Sequence, residues 1–416
     1  MLDNGKAEGA RKIKQIEKYC LRDIAIVSQG FTFSRLYQGK KNLKWNYFKV
    51  ADIGINPNSK YLTNAINTIS DITMEEIGAL PFPKGSIVFP RVGAALFNNN
   101  KKILAQDGVV DDNVLVLTVT DTSKCWYEFL YYYLQGIPLA KWCNSGLVPV
   151  INTKTVLSQM VFLPPLPEQQ KIAAILSTQD KVIELKEKLL AQKQQQKKYL
   201  MQQLLTGKIK LANYPNNWHE IKLGEVSSMA SGGTPDSKNK AYYGNTYNWI
   251  SISDISNAGK YIDDSNRKLS QSGFDNCTAR LFNPGTVLLA MYASVGKCAI
   301  ARKTCCTSQA ILGITPQKEL VNEYLYYVLV NENVRLKSFS QASSQPNINK
   351  KIVEDVLIKL PSLSEQKAIV EILSTADREI DLIQKFIEAE KQKKKALMQL
   401  LITGKVRNKW RQVKKK

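Results

Sequence analysis

The sequence predicts an α+β fold: two β-rich domains in tandem, separated by two long helices that pair as an antiparallel coiled coil. Three observations support this prediction. A 48-residue segment occurs twice in the chain. Each copy follows a stretch of short β-branched and aromatic runs, and each copy spaces its apolar residues at alternating steps of three and four. The duplication adds a pseudo-two-fold internal repeat to the predicted fold.

The duplicated segment is Leu163–Lys210, which aligns without a gap on Leu360–Arg407 with about half of the positions identical. The segments upstream match more weakly, as "YFKVADI" with "WISISDI", "EFLYYYL" with "EYLYYVL", and "VPVINTKTV" with "QPNINKKIV". The whole chain is therefore one unit used twice, and the globular part has diverged more than the helix.

The globular part of each copy is predicted to be β-rich. Runs such as Ser86–Phe89, Val114–Val119 and Thr286–Ala290 are bounded by Gly, Pro and Asn, which is typical of strands and turns. Matched tyrosines at helical spacing are predicted to pack in the core rather than stack on bases: Tyr131, Tyr132, Tyr133, Tyr326 and Tyr327.

Each copy ends in a long helix. The first is predicted from Glu168 to about Thr206, a length of roughly 55–60 Å. The predicted interhelix seam consists of Ile172, Leu176, Ile183, Leu190, Leu200 and Leu204 in the first copy and Ile369, Leu373, Ile380, Ile383, Ile387, Leu397 and Leu401 in the second. Polar residues interrupt it, among them Lys197, Glu390 and Lys394. Packing of each helix on its own domain, or pairing with another molecule, are the alternatives; self-pairing is favoured because the two seams match.

These patterns divide the chain into five segments. They are a helical N-terminal extension (1–17), a first globular domain (18–165), a central helix (166–212), a second globular domain (213–361) and a distal helix with a basic tail (362–416).

The net charge of +22 and pI near 9.5 predict a polyanionic partner, nucleic acid first and an anionic membrane surface second. No apolar run approaches the roughly 20 residues of a membrane-spanning helix, which argues against a membrane. No secretory signal is evident at the N-terminus, so a cytoplasmic location is expected. The helical segments carry charge more densely than the globular ones: the net charge is +6 for 1–165, +5 for 166–212, +4 for 213–361 and +7 for 362–416.

The sequence gives little indication of a metal site or of a nucleophilic catalytic site. Seven irregularly spaced cysteines include no C-x-x-C pair, so buried free thiols are expected and no metal site. One histidine, His219, leaves no basis for a His-based zinc site and is expected to pack beside Trp218. The sequence also lacks the D/N-P-P-Y/F loop of amino-methyltransferases and the G-x-x-x-x-G-K-[ST] loop of nucleotide hydrolases. We therefore expect no enzymatic activity in this chain.

The duplicated "LPPLPEQQKIAAILS" and "LPSLSEQKAIVEILS" segments each lead into a basic heptad helix that ends in "LLTGKIK" or "LITGKVR". With the domain openings "LRDIAIVSQGFTF" and "WHEIKLGEVSSMASGGTP", they resemble the specificity subunits of type I restriction–modification systems. The resemblance covers essentially the whole chain.

The resemblance implies two target-recognition domains, each reading one half of a bipartite asymmetric site on double-stranded DNA. It also implies helices that set the spacer and dock two methyltransferase subunits, and further motor-nuclease subunits. S-adenosylmethionine, ATP and Mg are then expected in the partner subunits and no cofactor in this chain. The N-terminal extension is expected to pack near the distal helix.

Family motifs do not locate the base-contacting residues, so the candidates are polar and basic residues in predicted loops. They are Lys44, Arg91, Asn98, Lys101, Lys102 and Asn113 in the first domain and Ser294, Lys297, Arg302, Ser308 and Gln309 in the second. Arg and Lys suit guanine edges and phosphates, and Asn and Gln suit adenine.

Three alternative functions remain open from the sequence. One is a specificity subunit of a modification-only system. Another is a restriction enzyme fused to its recognition domains, which the missing catalytic motifs oppose. The third is a basic coiled-coil DNA-binding scaffold without sequence preference, whose binding would be salt-sensitive.

Overall fold

The computed structural model describes residues 16–55, 59–144, 146, 148–214, 218–341 and 347–405. The predicted N-terminal helix (1–17) lies outside these residues except for its last two, of which Glu17 begins a strand instead. Nearly all of the basic tail also lies outside them. The chain forms two compact units: unit 1 is Met1–Leu189 with Gln384–Lys416, and unit 2 is Leu190–Ile383. Each unit therefore contains the globular part of one copy and a portion of both long helices.

The first copy contains ten described strands and five helices. The strands are β1 (Glu17–Cys20), β2 (Ala25–Gln29), β3 (Trp45–Phe48), β4 (Tyr61–Leu62), β5 (Asn67–Ile69), β6 (Ile87–Pro90), β7 (Lys102–Leu104), β8 (Val109–Val110), β9 (Val114–Val119) and β10 (Met160–Leu163). The helices are α1 (Val50–Gly54), α2 (Asp71–Glu76), α3 (Tyr127–Gln135), α4 (Thr153–Leu157) and α5 (Leu166–Leu205).

The second copy repeats this order with one extra strand among its described residues. The strands are β11 (His219–Lys222), β12 (Ser227–Ser231), β13 (Tyr243–Gly244), β14 (Tyr247–Ile250), β15 (Tyr261–Ile262), β16 (Arg267–Leu269), β17 (Val287–Ala290), β18 (Cys298–Ala301), β19 (Cys306–Thr307), β20 (Ile311–Pro316) and β21 (Leu357–Leu360). The helices are α6 (Ile252–Asn257), α7 (Gln271–Asp275), α8 (Asn322–Gln341), α9 (Lys350–Glu354) and α10 (Leu363–Ile402).

The two units share one sheet topology. Unit 1 has a five-stranded sheet in the order β2-β9-β6-β7-β4 and a small sheet in the order β5-β3-β8; unit 2 has β12-β20-β17-β18-β15 and β13-β16-β14-β19. An antiparallel strand pair, β1 with β10 or β11 with β21, joins the start of each globular part to the strand before its long helix. The predicted α+β fold with an internal repeat is confirmed.

The central strands are buried because both faces of the large sheet are covered. All four residues of β6 and of β17 are buried. One face of the large sheet in unit 1 packs on α3 and the ends of the long helices, in a core that includes Phe129, Tyr132 and Leu176. Its other face packs on the small sheet through Phe48 and Val110. Of the five matched tyrosines, Tyr131 and Tyr132 are buried in the unit 1 core and Tyr327 in the corresponding core of unit 2, whereas Tyr133 and Tyr326 are half-buried against those cores.

A buried glutamine fixes the start of each long helix. The Gln169 side chain is fully buried; its Nε2 donates to the carbonyls of Lys124 (2.7 Å) and Pro164 (2.8 Å), and its Oε1 accepts from the Trp126 N–H (2.9 Å). Gln366 makes the same three bonds, to Glu319 (2.8 Å), Pro361 (3.0 Å) and Val321 (2.8 Å). The repeated Glu-Gln motif thus satisfies buried backbone groups where strand turns into helix.

Replacing Gln169 by alanine should lower the free energy of unfolding by about 3 kcal/mol, because one buried and two partly buried backbone groups lose their partner. Urea denaturation followed by circular dichroism measures the loss. Gln170→Ala is the matched control, since Gln170 is the exposed neighbour and its truncation should cost less than about 0.5 kcal/mol. Equal losses for the two variants would show that the buried bonds do not stabilise the junction.

Within each unit the two long helices run antiparallel. In unit 1, Lys394 lies 2.5 Å from Asp180, and Lys391 lies 2.8 Å from Glu187. In unit 2, Lys193 lies 2.8 Å from Glu379, and Lys197 contacts Asp377. Lys197 and Lys394, which interrupt the apolar seam, therefore form ion pairs between the helices, and Glu390 accepts a hydrogen bond from Gln179 of the facing helix.

The seam residues fall into two groups. Those near the helix ends join the globular cores as well as the facing helix: Ile172, Leu176 and Leu401 in unit 1, and Leu204, Ile369 and Leu373 in unit 2. Ile183 and Ile387 are buried between the helices, and the remaining five are half-buried: Leu190, Leu200, Ile380, Ile383 and Leu397.

An equivalent polar cluster anchors the helices on each globular part. The unit 1 cluster consists of Lys60, Glu128, Tyr132, Asp180 and Lys394. The Tyr132 hydroxyl donates to Asp180 (2.6 Å), and Lys60 pairs with Glu128 (3.3 Å). Burial and the Asp180 carboxylate raise the pKa of Tyr132 well above its usual range, so the hydroxyl remains a donor.

The unit 2 cluster consists of Lys197, Lys260, Glu323, Tyr327 and Asp377. The Tyr327 hydroxyl donates to Asp377 (2.6 Å), while Lys260 lies 4.6 Å from the Tyr327 ring centroid. In both clusters the helix lysine comes from the other copy of the repeat: Lys394 belongs to α10, and Lys197 belongs to α5.

Candidate nucleic-acid interface

Each unit exposes an equivalent loop edge at one end of its large sheet. In unit 1 the residue after β6 and the residue before β9 are joined, since the Arg91 N–H donates to the Asn113 carbonyl (2.8 Å). In unit 2 the Met291 N–H donates to the Ala310 carbonyl (2.9 Å). We call these the sheet-end edges.

A glycine allows a third segment to reach each edge. A Cβ on Gly30 would lie 2.2 Å from the Val110 carbonyl oxygen, and one on Gly232 would lie 1.9 Å from the Thr307 carbonyl oxygen. Because only glycine allows this approach, the segments after β2 and β12 lie directly against the loops after β8 and β19.

The threonine two residues after each glycine contacts the loop of its own unit. Thr32 donates to Asp112 (3.2 Å), and Thr234 accepts from the Gln309 N–H (3.4 Å). The edge in unit 1 carries a cationic group, the half-exposed Arg91 guanidinium. This group is held at the edge by a hydrogen bond that it donates to the Asp112 carbonyl (3.4 Å).

In unit 1 the edge continues into a basic and aromatic surface. Residues 35–49 contain five basic residues and no acidic residue. Lys40 lies 5.6 Å from the Tyr37 ring centroid, and Lys49 lies 6.0 Å from that of Phe33. Phe33 stacks on the buried Tyr47 (3.9 Å), whose hydroxyl bonds the Phe31 carbonyl. The lysines are thus held over rings that are themselves fixed to the small sheet.

Unit 2 has a smaller counterpart. The Tyr243 hydroxyl donates to the Pro235 carbonyl (3.4 Å), immediately beyond Thr234. The exposed Arg267 guanidinium lies 5.7 Å from the Tyr243 ring centroid and 5.4 Å from that of Trp249. Arg267 is therefore an exposed cation held on a rigid aromatic support.

The two edges share a backbone but differ in side chains. The half-exposed Arg91 in unit 1 is matched in unit 2 by Met291, which is 4% exposed and packs in the unit 2 core, and the exposed Asn113 is matched by Ala310. Lys49 and Ser251 are also equivalent, because they are the N-caps of α1 and α6, where each backbone N–H donates to an aspartate. The same scaffold thus presents different chemical groups in the two units.

Three of the predicted DNA-binding residues are buried. Lys101 is 2% exposed, Lys102 is 1% exposed and lies in β7 rather than in a loop, and Ser308 is 7% exposed. The Lys101 ammonium bonds Asn99 Oδ1 (2.6 Å) and the Ile137 carbonyl (3.0 Å), and Lys102 bonds the Ser59 carbonyl. This differs from the expected exposed loop, and these three residues are removed from the proposed DNA-contacting set.

The other predicted residues lie on or near the surface. Arg91, Asn113 and Gln309 are at the sheet-end edges; Asn98, Ser294 and Lys297 lie in the connections that follow β6 and β17. Two lie elsewhere and are engaged. Lys44 pairs with Asp71 (2.8 Å), which lowers the pKa of that carboxyl, and Arg302 lies 3.4 Å from Asp263 and 4.2 Å from the Tyr261 ring centroid.

The cysteines and the histidine form no reactive site in the described residues. The cysteines there are free thiols, and burial raises the pKa of Cys298, Cys305 and Cys306 to about 12. No group of histidine, cysteine and acidic side chains suited to a metal ion occurs in the described ranges. His219 lies exposed in β11, not packed as expected. Within those same ranges, no helix is both long and apolar enough to cross a membrane.

The sequence profile of the type I restriction modification DNA specificity domain matches residues 13–194 and again residues 215–391. The chain belongs to this family. Each of the two matched ranges contains one complete sheet-end edge.

Curated relatives agree with this assignment. The chain is 25% identical over 422 residues to a putative type I restriction enzyme MjaX specificity subunit of Methanocaldococcus jannaschii, an alignment covering 93% of this chain and 92% of that protein. It is 33% identical over 177 residues to the MjaIX specificity subunit of the same organism, covering 42% of this chain and 40% of that relative.

Solved structures share the fold of this specificity-domain chain. An S subunit of a type I restriction-modification system from M. genitalium matches with a TM-score of 0.60 and 15% identity, covering 95% of this chain and 98% of that one. A chain from a study of type I R-M complex assembly and conformational transition matches with the same TM-score and 19% identity, covering 94% and 98%.

Proposed function

We propose that this chain is the non-catalytic DNA-specificity subunit of a type I restriction–modification complex. In this proposal residues 18–165 and 213–361 are two target-recognition domains, each of which reads one half of a bipartite, asymmetric site on double-stranded DNA. The single observation that carries the proposal is the repeated sheet-end edge, which has one backbone and two different sets of side chains. Different side chains on one scaffold support two different half-sites.

The exposed cations at and beside each edge have the chemistry that DNA requires. In unit 1, Arg91 suits a guanine edge, and Lys40, Lys41 and Lys49 suit phosphates. In unit 2, Arg267 on its aromatic support would take the corresponding contact.

The helical segments 166–212 and 362–416 would set the spacer between half-sites and dock two methyltransferase subunits. In this arrangement the partners would contact equivalent helix positions, such as Leu185, which is 53% exposed, and Leu382, which is 65% exposed. Methylation with S-adenosylmethionine and ATP-driven restriction with Mg would then belong to these partners and to motor-nuclease subunits.

The test is co-expression with a type I methyltransferase subunit from the source genome, followed by single-molecule mapping of adenine methylation in the host genome. We expect one split motif with a fixed gap. A stable complex that leaves the genome unmethylated, or methylation without a motif, would contradict the proposal and favour a DNA-binding scaffold.

Substitutions at the two edges should then affect separate halves of that motif. Arg91→Ala should relax one half, and Arg267→Ala the other, each by roughly 5–150-fold in discrimination, the effect of losing a bidentate base contact of about 1–3 kcal/mol. Lys188→Ala is the control, because Lys188 lies on α5 and pairs with Glu184 (2.6 Å). If both arginine variants relaxed the same half, the assignment of one half-site to each unit would be wrong.

A further inference from the structure

A cavity of about 620 Å³ opens in unit 1 beside the polar cluster. Its walls come from α3, from the residues just before β7, and from portions of α5 and α10. Four of the lining side chains are lysines: Lys101, Lys391, Lys394 and Lys395. Asp180 is the acidic lining residue, so the cavity carries an excess of positive charge.

Lys101 is the least accessible of the four lysines. It is 2% exposed, and its ammonium bonds two neutral oxygens, Asn99 Oδ1 and the Ile137 carbonyl. Among the residues that the structure describes, no carboxylate lies within ion-pair distance of it. Burial lowers the pKa of Lys101 to about 7. A buried ammonium without a counter-ion is unfavourable, and a bound anion would compensate it.

The other three lysines differ in how far they are neutralised. Lys391 pairs with Glu187 (2.8 Å) and Lys394 with Asp180 (2.5 Å). Lys395 is exposed and has no hydrogen-bonding or ionic partner in the described part of the chain. Lys395 and the protonated form of Lys101 therefore supply two cations of the cavity that no carboxylate of the described residues balances.

The rest of the wall suits a flat, weakly polar group. Tyr131, Ile183, Met398 and Ile402 contribute aromatic, aliphatic and thioether surface, and Gln135 and Gln399 contribute amides. A cavity of this volume, with both apolar and cationic lining residues, falls within the range of small-molecule sites, about 300–1,000 Å³.

The second copy of the repeat has no lysine at the position that corresponds to Lys101. Lys102 faces Val88, the second residue of β6, and Ala299 faces Leu288, the second residue of β17. Lys102 is therefore equivalent to Ala299, and Lys101 is equivalent to Cys298. Cys298 is 8% exposed, and Met201 and Leu205, equivalent to Met398 and Ile402, are buried in the unit 2 core. The scaffold thus folds without a buried lysine here, and Lys101 is not required by the architecture.

We propose that this cavity binds a phosphorylated small molecule of the nucleotide class. Its phosphate lies between Lys101 and Lys395, and its base packs on Tyr131 and Met398. The site is separate from the sheet-end edges, and it adds a small-molecule input to a chain whose proposed role is reading DNA.

The test is isothermal titration of the full chain with AMP, ATP and inorganic pyrophosphate at constant ionic strength. We expect AMP and ATP to bind, and Lys101→Met to weaken both by more than tenfold. Lys395→Met should weaken them severalfold, and Lys198→Met should leave them unchanged. Lys198 is the matched control because it is the exposed lysine at the equivalent position of α5.

The variants also separate loss of binding from loss of folding. Methionine fills the place of Lys101 without a charge, so the melting temperature of Lys101→Met without ligand should be no lower than that of the unmodified chain. Lys395→Met alters an exposed side chain and tests the same cavity independently. Pyrophosphate binding as tight as ATP would overturn the nucleotide assignment. Equal effects of Lys198→Met and Lys395→Met, or no binding at 1 mM ligand, would overturn the site.

Discussion

Replacing Asp180 by alanine is expected to lower the free energy of unfolding by about 3–5 kcal/mol, the cost of removing one partner from a buried ionic network. The Asp180 side chain is 13% exposed and accepts from Lys394 and Tyr132. It also faces Lys102, whose pKa burial lowers to about 8 while the Asp180 carboxylate opposes that shift. Without Asp180, Lys394 loses its ion-pair partner and Lys102 loses a favourable charge interaction.

Urea denaturation of the full chain measures the effect, and Glu184→Ala is the control. Glu184 pairs with Lys181 and Lys188 on the exposed face of the same helix, so its truncation should cost at most about 1 kcal/mol. Asp377→Ala should cost less than Asp180→Ala, because Ala299 stands in unit 2 where Lys102 stands in unit 1. Comparable losses at Glu184 and Asp180 would argue against a stabilising polar cluster.

Gly232→Ala is expected to cost more than about 4 kcal/mol, at the far end of the range for single substitutions. The added methyl would lie 1.9 Å from the Thr307 carbonyl oxygen and 2.2 Å from Thr307 Oγ1, so strand β19 or the segment after β12 must move. The sheet-end edge of unit 2 depends on that approach, and second-half-site recognition should be lost with it.

The measurement is the urea midpoint together with hydrogen exchange of the amides in β14 and β19. Gly54→Ala is the matched control at a glycine where a Cβ would meet no atom within 4 Å. We expect the control to leave the midpoint and the exchange pattern unchanged. A Gly232→Ala protein with native stability would mean that the close approach is not maintained in solution.

The architecture was predictable because its signals are local or repeated. The run Val114–Val119 is a strand with those bounds, and the predicted helix from Glu168 to about Thr206 is observed as Leu166–Leu205. Alternating steps of three and four identify a helix from its own residues alone. The antiparallel pairing followed from two matching seams in one chain.

The lysines at 101 and 102 show where sequence patterns become insufficient. An Asn-Asn-Asn-Lys-Lys run is typical of an exposed loop. Lys102 instead lies in β7, where it pairs with Val88 of the neighbouring strand β6 and bonds the Ser59 carbonyl. These partners are 14 and 43 residues away in the chain. Burial was decided by those distant partners.

The basic and aromatic surface of 35–49 could have been found from the sequence. Phe33, Tyr37 and Trp45 alternate there with lysines and Arg35, and such interleaving indicates nucleic-acid contact. Arg267 carries no comparable signal, because its supports Tyr243 and Trp249 come from two other strands. Its position became evident only from the sheet.

Each polar cluster takes its helix lysine from the other repeat, and this affects how the sequence of such a chain can evolve. Lys394 completes the polar cluster beside the first globular part, although it is encoded in the second half of the gene, and Lys197 does the reverse. A recombination event that brings in a new recognition domain together with the long helix that follows it therefore also imports the lysine that anchors the neighbouring domain. Inheritance of a new specificity is thus constrained at helix positions that touch no DNA in the proposed mechanism.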